Sequence, residues 1–178
     1  MILKIYTLLH VLISLTGIFS GLVVLSGLLT AKQFNRWTAC FLMTTGLTSV
    51  TGFLFPYHGV TPGIVTGIIS LAVLSLAIFA RYWRNLVGAW RKTYVISALL
   101  ALYLNVFVLI VQSFQKIPAL KSIAPTQTEP AFKLTQLLVL MIFAAVTVVA
   151  AIRFKEKPFQ TTKPLRNAIN QQNYEQHT

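Results

Sequence analysis

His10 is the side chain of this sequence best suited to chemistry, because it lies inside an apolar run that extends from Ile2 to Leu29. A neutral imidazole accepts hydrogen bonds, ligates haem iron and bonds quinone oxygens. A polar group inside hydrocarbon is costly, so it indicates a functional site by default. Ser14 lies one turn away on the same helical face. This stretch is therefore the first place to expect a ligand.

Other scarce polar side chains are predicted to approach the same side of the protein. Asn105 and Gln112 are seven residues apart, which places them on one face of a helix. His58 lies in the turn FPYHG, and Gln136 begins the last apolar run. The candidate ligand-binding residues are therefore His10, Ser14, His58, Asn105, Gln112 and Gln136.

Three interpretations of these residues stay open. In the first, His10 only fixes helix packing by bonding a neighbouring helix. In the second, the residues bind haem b or a quinone, and haem held by two histidines requires His10 and His58 to face each other. In the third, they line a path for a small solute, which the lack of an intramembrane carboxylate disfavours.

Standard enzyme chemistry has little material in this chain. It contains no Asp and three acidic residues, Glu129, Glu156 and Glu175. All three are predicted in a loop or in the tail, so paired-carboxylate catalysis has no site. A Ser14–His10 dyad would lack a G-x-S-x-G elbow, and Cys40 has no partner thiol. No catalytic residue is predicted, and metal binding is left open.

The composition predicts that the elements holding these residues cross a membrane. Of 178 residues, 56% are hydrophobic and only 10% are charged, and the mean hydropathy is +0.72. A soluble domain does not bury so much apolar surface. The expected fold is an all-α, polytopic transmembrane helix bundle over residues 1–153, followed by a basic, polar and flexible cytoplasmic tail at 154–178.

Five apolar segments approach the length of about 20 residues that a spanning helix needs. They are predicted at 5–29, 38–55, 62–80, 94–114 and 132–152. An alternative with four spans would merge or half-insert residues 38–80 as a re-entrant hairpin.

Basic residues predict the orientation. Eleven of the fifteen fall in the first loop, the third loop and the tail, namely Lys32, Arg36, Arg81, Arg84, Arg91, Lys92, Arg153, Lys155, Lys157, Lys163 and Arg166. By the positive-inside rule these segments are cytoplasmic, which places the N-terminus outside and the C-terminus inside. The surplus of positive charge then predicts contact with anionic lipid at the cytoplasmic face, and not with nucleic acid.

Small residues predict close helix contacts. Gly17 and Gly21 form a GxxxG pair, and Gly59, Gly63 and Gly67 continue the pattern in and after the FPYHG turn. Such faces let backbones approach closely, either within one chain or between two copies of a homodimer. In the loop before the last segment, Thr126 and Glu129 fit a capping box, and Pro130 suits the first turn of a helix.

The stretches SVTGFLFPYHG, ALYLNVFVLIVQSFQKIPAL and APTQTEP resemble a family of small bacterial integral membrane proteins that is itself uncharacterised. The resemblance covers roughly residues 10–154. It implies a multi-pass protein of the bacterial inner membrane and supplies no activity, cofactor or site residue.

The leading hypothesis from sequence is a non-enzymatic accessory or scaffolding subunit of an inner-membrane complex, with other membrane subunits or a second copy as partners. Its basis is a chain with little chemistry and many helix-contact faces. The alternative is a small haem- or quinone-binding protein with its site in the periplasmic half. A small-solute transporter is third.

Overall fold

A computed structural model describes residues 2–55 and 62–154. All regular structure in this part of the chain is helical. The elements are α1 (Ile2–Leu29), α2 (Asn35–Phe53), α3 (Pro62–Ile78), a π-helical turn (Phe79–Trp83), α4 (Ala89–Lys116), the short α5 (Pro118–Ile123) and α6 (Pro130–Arg153). The predicted tail at 154–178 lies outside the described residues except for Phe154.

Helices α1 and α2 are antiparallel neighbours along most of the length of α2. Residue numbers fall on one helix as they rise on the other, since His10 meets Thr51 and Gly21 lies against Phe41. The turn between them is tight: the amide of Lys32 donates to the carbonyl of Gly27 at 2.8 Å. This register brings the polar face of α1 against the hydroxyl-rich α2.

The remaining long helices continue the alternation. Gly67 of α3 lies against Phe53 of α2, and Leu74 lies against Gly46, so α3 runs back along α2. Helix α4 contacts α1, α3 and α6 and therefore occupies the centre of the bundle. We call the end that carries residues 30–34 and 84–88 the basic end, and the end where α1 begins and α4 finishes the cavity end.

Within residues 2–55 and 62–154, four helices are long and apolar enough to cross a membrane: Ile2–Leu29, Gly63–Trp83, Ala89–Lys116 and Pro130–Arg153. Four of the five predicted segments therefore meet this criterion. Helix α2 has 19 residues but is not among them. Its lower hydropathy follows from its many Thr, Ser and Gly residues and from Asn35 and Arg36 in its first turn.

Hydroxyl groups along α2 bond mainly within their own helix. The side chain of Thr44 donates to the carbonyl of Cys40 at 2.7 Å, and Thr51 donates to Leu47 at 2.6 Å. Ser49, which is buried, donates to Thr45 at 3.0 Å. These bonds let an apolar bundle bury a polar helix, because each donor is satisfied one turn back.

The start of α6 differs from the predicted capping box. The helix begins at Pro130 with Glu129 as its N-cap, so Thr126 lies in the preceding turn and does not cap the helix. A residue before proline is held in extended conformation, as Glu129 is at ψ 154°, which excludes it from the helix. Glu129 nevertheless accepts hydrogen bonds from the amide of Thr126 at 3.0 Å and from its hydroxyl at 2.8 Å.

Candidate functional site

A cavity of about 620 Å³ lies among α1, α2, α3 and α4 at the cavity end of the bundle. Its volume falls within the range of roughly 300–1,000 Å³ that is usual for small-molecule sites. Most of the lining is apolar, from side chains such as Val11, Ile18 and Leu104. The shape and chemistry are those of a site for an apolar molecule with a small polar part.

Four of the six sequence-predicted ligand residues line this one cavity, namely His10, Ser14, Asn105 and Gln112. Gln136 does not, because it lies on α6 and its amide donates to the carbonyl of Phe107 on α4 at 3.3 Å. His58 lies outside the described residues, so the structure does not test whether it faces His10. Gly63 and Gly67 also line the cavity, and Gly59 lies outside the described residues.

The proton of His10 is assigned by its neighbour Thr51. The Nδ1 atom of His10 lies 2.8 Å from the Thr51 hydroxyl oxygen. That hydroxyl has one proton, which it donates to the carbonyl of Leu47 at 2.6 Å, so it can only accept from the histidine. Nδ1 therefore carries the proton, and Nε2 of the neutral ring is left as a hydrogen-bond acceptor.

An aromatic ring packs against this imidazole. The ring of Phe55 meets His10 edge-on with centroids 5.2 Å apart, and it also contacts Tyr6 at 4.9 Å. The hydroxyl of Tyr6 donates to the carbonyl of Thr51 at 2.5 Å, which ties the start of α1 to the end of α2. Since no hydrogen bond among the described residues engages Nε2, this atom is available to a ligand.

Asn105 forms the floor of the cavity, where the helices close together. It is buried, and its amide nitrogen donates to the Thr45 hydroxyl at 3.0 Å. Nearby, the hydroxyl oxygens of Ser49 and Ser70 lie 3.3 Å apart and link α2 to α3. From Asn105 to Lys116 the wall of α4 extends by roughly 16 Å at 1.5 Å per residue. The cavity is therefore deep enough for a ring system with part of a chain.

Lys116 gives the mouth of the cavity a positive charge. It lines the cavity near the end of α4, one turn beyond Gln112, and it is solvent-exposed. No acidic side chain is among the described lining residues. Sequence reasoning did not place Lys116 in the site, although its spacing of four residues from Gln112 was a usable signal. Thr48 and Thr51 were also missed, because the pairing of α1 with α2 is not readable from either helix alone.

A serine–histidine dyad is not formed. Ser14 donates to the hydroxyl of Thr48 at 3.4 Å, while His10 bonds Thr51. Each side chain is thus directed to α2 and not to the other. The loop that follows α4 does not cover the cavity either, since none of residues 118–129 lines it and Gln127 bonds the carbonyl of Val111 instead.

The glycine faces of the described helices make contacts within the chain. A Cβ atom at Gly21 would lie 2.5 Å from Leu102 and 3.0 Å from Phe41. At Gly67 it would lie 2.9 Å from the ring of Phe53, and at Gly17 it would lie 3.2 Å from the Thr44 hydroxyl. These faces are covered by α2 and α4, so they are not free surfaces for another subunit.

Comparison with known proteins gives no relative: no family model, no curated protein and no solved structure matches the chain. Within the described residues there is also no group of three or more His, Cys, Asp or Glu side chains that could hold a metal ion. The functional conclusion therefore depends on the cavity and its lining.

Proposed function

We propose that this chain is a multi-pass protein of the bacterial inner membrane that binds a lipid-soluble molecule with an oxygen-bearing head group, of the quinone class, in the cavity beside His10. The observation that carries the proposal is the free Nε2 acceptor of His10 in the wall of a cavity of about 620 Å³. A single acceptor inside an apolar pocket orients a ligand that brings its own hydroxyl group.

The membrane arrangement in this proposal has five spans, with the N-terminus outside and the cavity in the outer half. Helix α2 supports the fifth span, since its 19 residues extend roughly 28 Å and it runs antiparallel along α1. The distribution of Lys and Arg supports the orientation, because the basic end then faces the cytoplasm. A ligand would reach the cavity from the outer leaflet.

The quinone class fits because the lining offers both kinds of hydrogen-bonding partner. A hydroxyl of the reduced form has an acceptor in Nε2 of His10, and a carbonyl of the oxidised form has donors in the Gln112 amide and the Lys116 ammonium group. Haem b would use the same Nε2 atom as an axial ligand, but the described lining supplies no second histidine. The quinone is therefore the better match to these residues.

The other two hypotheses from sequence have less support. An accessory role in a larger complex was based on glycine and hydroxyl faces, and in the described helices those faces contact α2, α3 and α4 of the same chain. A carrier for a small solute needs a coupling group, and the described cavity lining contains no carboxylate.

The test is binding of a short-chain quinone to the purified protein in mild detergent, together with extraction of copurifying lipids. His10→Ala is expected to weaken binding about 5- to 100-fold, the equivalent of losing one buried hydrogen bond. Gln136→Leu is the matched control. It removes a polar side chain from the same half of the bundle, but this side chain does not line the cavity. Equal affinity in the parent and His10→Ala proteins would overturn the proposal.

Oxidised and dithionite-reduced absorption spectra of the same preparation separate quinone from haem. A quinone site gives no haem bands. Haem bands that are present in the parent protein and absent in His10→Ala would instead identify haem as the ligand.

The position of the proton on the His10 ring has its own test. Thr51→Val is expected to weaken quinone binding several-fold, since it removes the acceptor that fixes the tautomer, and Thr51→Ser is expected to retain binding.

A further inference from the structure

A second polar site lies at the basic end of the bundle, away from the His10 cavity. The hydroxyl of Tyr94 is buried there without a hydrogen-bond partner in the described structure, and only 1% of the residue is exposed. Thr38 and Arg81 lie beside this hydroxyl, but neither meets it with hydrogen-bonding geometry. Burying a hydroxyl without a hydrogen-bond partner is unfavourable, so a partner is expected at this position.

A small void adjoins Tyr94. It holds about 10 Å³, which is close to the space that one water molecule or one ligand oxygen needs. Its polar lining comes from Lys32, Gln33, Thr38, Arg81 and Tyr94. The void therefore has room for a single oxygen atom among several donors.

The void also lies against the N-terminus of α2. The first backbone N–H groups of a helix have no partner within it, and together with the helix dipole they attract anions. Phe34 is the N-cap and supplies no side-chain hydrogen bond to these groups. Arg81 is held above the same turn, because its guanidinium donates to the side chain of Asn35 at 2.6 Å and lies 5.2 Å from the Tyr94 ring.

The charges at this end lack a counter-ion in the described chain. Seven basic residues lie there, namely Lys32, Arg36, Arg81, Arg84, Arg91, Lys92 and Arg153, and the acidic residue that the structure describes, Glu129, precedes α6 near the opposite end. The Nη1 atom of Arg91 is likewise buried without a partner. Uncompensated cations in a partly buried setting favour binding of an anion.

We infer that a phosphate group of an anionic lipid binds at the N-terminus of α2, with one phosphate oxygen in the void between Lys32, Arg81 and the Tyr94 hydroxyl. The oxygen accepts hydrogen bonds from these groups, and charge-assisted bonds of this kind are stronger than neutral ones. The lipid comes from the leaflet that faces the basic end, where anionic head groups attract Lys and Arg. The site binds one head group at a defined position, in contrast to diffuse attraction by the surface.

The experiment measures lipid-dependent thermal stability and native mass spectra of the full-length protein in detergent. Phosphatidylglycerol, phosphatidylcholine and inorganic phosphate are added in parallel. Phosphatidylglycerol is expected to raise the melting temperature and to give a one-to-one adduct, and phosphatidylcholine is expected to have a smaller effect. Equal stabilisation by inorganic phosphate would keep the anion site but overturn the lipid as its source. No effect of either phosphate compound would overturn the site.

Tyr94→Phe is the decisive variant, since it removes only the hydroxyl. If the site uses this hydroxyl, the affinity of the variant for phosphatidylglycerol is expected to be lower by about 5-fold or more. A variant that is more stable than the parent and binds the lipid unchanged would overturn the inference, because the hydroxyl would then be an unsatisfied group and nothing more. Arg81→Gln is expected to reduce binding further, and Arg153→Gln, which removes the same charge from an exposed position outside the void, is its control.

Discussion

The two ends of the bundle differ in how closely the same helices approach. In α1 the buried residues start at Gly17 and continue to Leu28, while the turns before Gly17 contribute none. In α4 the pattern is reversed, since burial extends from Tyr94 to Asn105 and then recurs only at Phe114. Because α1 and α4 are antiparallel, the buried part of each helix lies at the basic end. The two helices therefore pack closely there and separate at the cavity end. The fold thus combines a closely packed half with an open half that contains the cavity.

The difference follows from side-chain size at the contacts. Near the basic end, glycine in α1 admits large side chains such as Phe41 and Leu102, and the rings and branched chains fill the interior. At the cavity end, polar side chains of α1 such as His10 and Ser14 bond to hydroxyl groups of α2, and a space lined mostly by apolar side chains stays open beside them. Tight helix contact and an open cavity therefore arise from different residue types on the same helices.

Adding a methyl group at one glycine in each half is expected to produce the largest difference in stability between the two halves. A Cβ at Gly21 would lie 2.5 Å from Leu102, whereas the contact that one at Gly52 would make with the described residues is to His10 at 3.8 Å. Both changes to Ala gain the same helix propensity. Gly21→Ala is therefore expected to be less stable than Gly52→Ala by about 1–3 kcal/mol, because only the first overpacks the interior. Unfolding in mixed micelles measures this, and equal stabilities would remove the contrast.

Breaking the hydrogen bond at the boundary between the two halves is expected to have a smaller effect on stability. Asn105 bonds Thr45 across the interior at 3.0 Å. A double-mutant cycle of Asn105→Ala and Thr45→Val is expected to give a coupling energy of about 0.6 kcal/mol, typical of hydrogen bonds between membrane helices. The same cycle with Ser75→Ala, whose exposed hydroxyl bonds its own helix, is the control. Coupling no larger than in the control would mean that apolar contacts alone set the boundary.

Removing the charge of Glu129, in the loop at the cavity end, is expected to have the smallest effect on stability. This effect depends on pH. Desolvation raises the pKa of Glu129, but hydrogen bonds from the amide and hydroxyl of Thr126 outweigh it and leave the pKa below its ordinary value. A lowered pKa in the folded state means that the ionised carboxylate stabilises the loop above the unfolded pKa. That contribution is lost as the pH falls through the lowered folded pKa.

The measurement compares the parent protein with Glu129→Gln across this pH range. The parent is expected to be slightly more stable at neutral pH, and the difference is expected to shrink as the solution is acidified below the ordinary pKa of the carboxyl. A difference that stays constant with pH would show that the charge of Glu129 has no part in the loop.

Much of the fold was predictable because apolar run length is a strong signal. The predicted segments at 62–80 and 94–114 match α3 with its π-helical turn and the central part of α4, and the main differences are extra turns at the ends. Helix α5 and the left-handed residues Asn85, Leu86 and Gln127 were not predicted, since segments this short carry no periodicity. Their conformations depend on contacts with the rest of the bundle.

The site was predictable only where polar residues are rare. His10 and Asn105 stand out in apolar runs, and both line the cavity. Gln136 has the same signal and faces α4 instead, because the rotation of α6 is set by its contacts and not by its composition. The assignment of the His10 proton needed Thr51, which is 41 residues away and becomes a neighbour only through the register of two helices.

The π-helical turn at Phe79–Trp83 directly follows α3, on the side of the basic end. A π-helical turn holds about one residue more than an α-helical turn, and one residue corresponds to a rotation of about 100° around the helix axis. Deleting Ala80 would restore a regular helix and swing Arg81 away from Tyr94, while Gly67 and Ser70 would keep their places at the cavity. The chain can therefore lose a residue at this turn and change the position of Arg81 at the basic end, while the part of α3 that lines the cavity keeps its place.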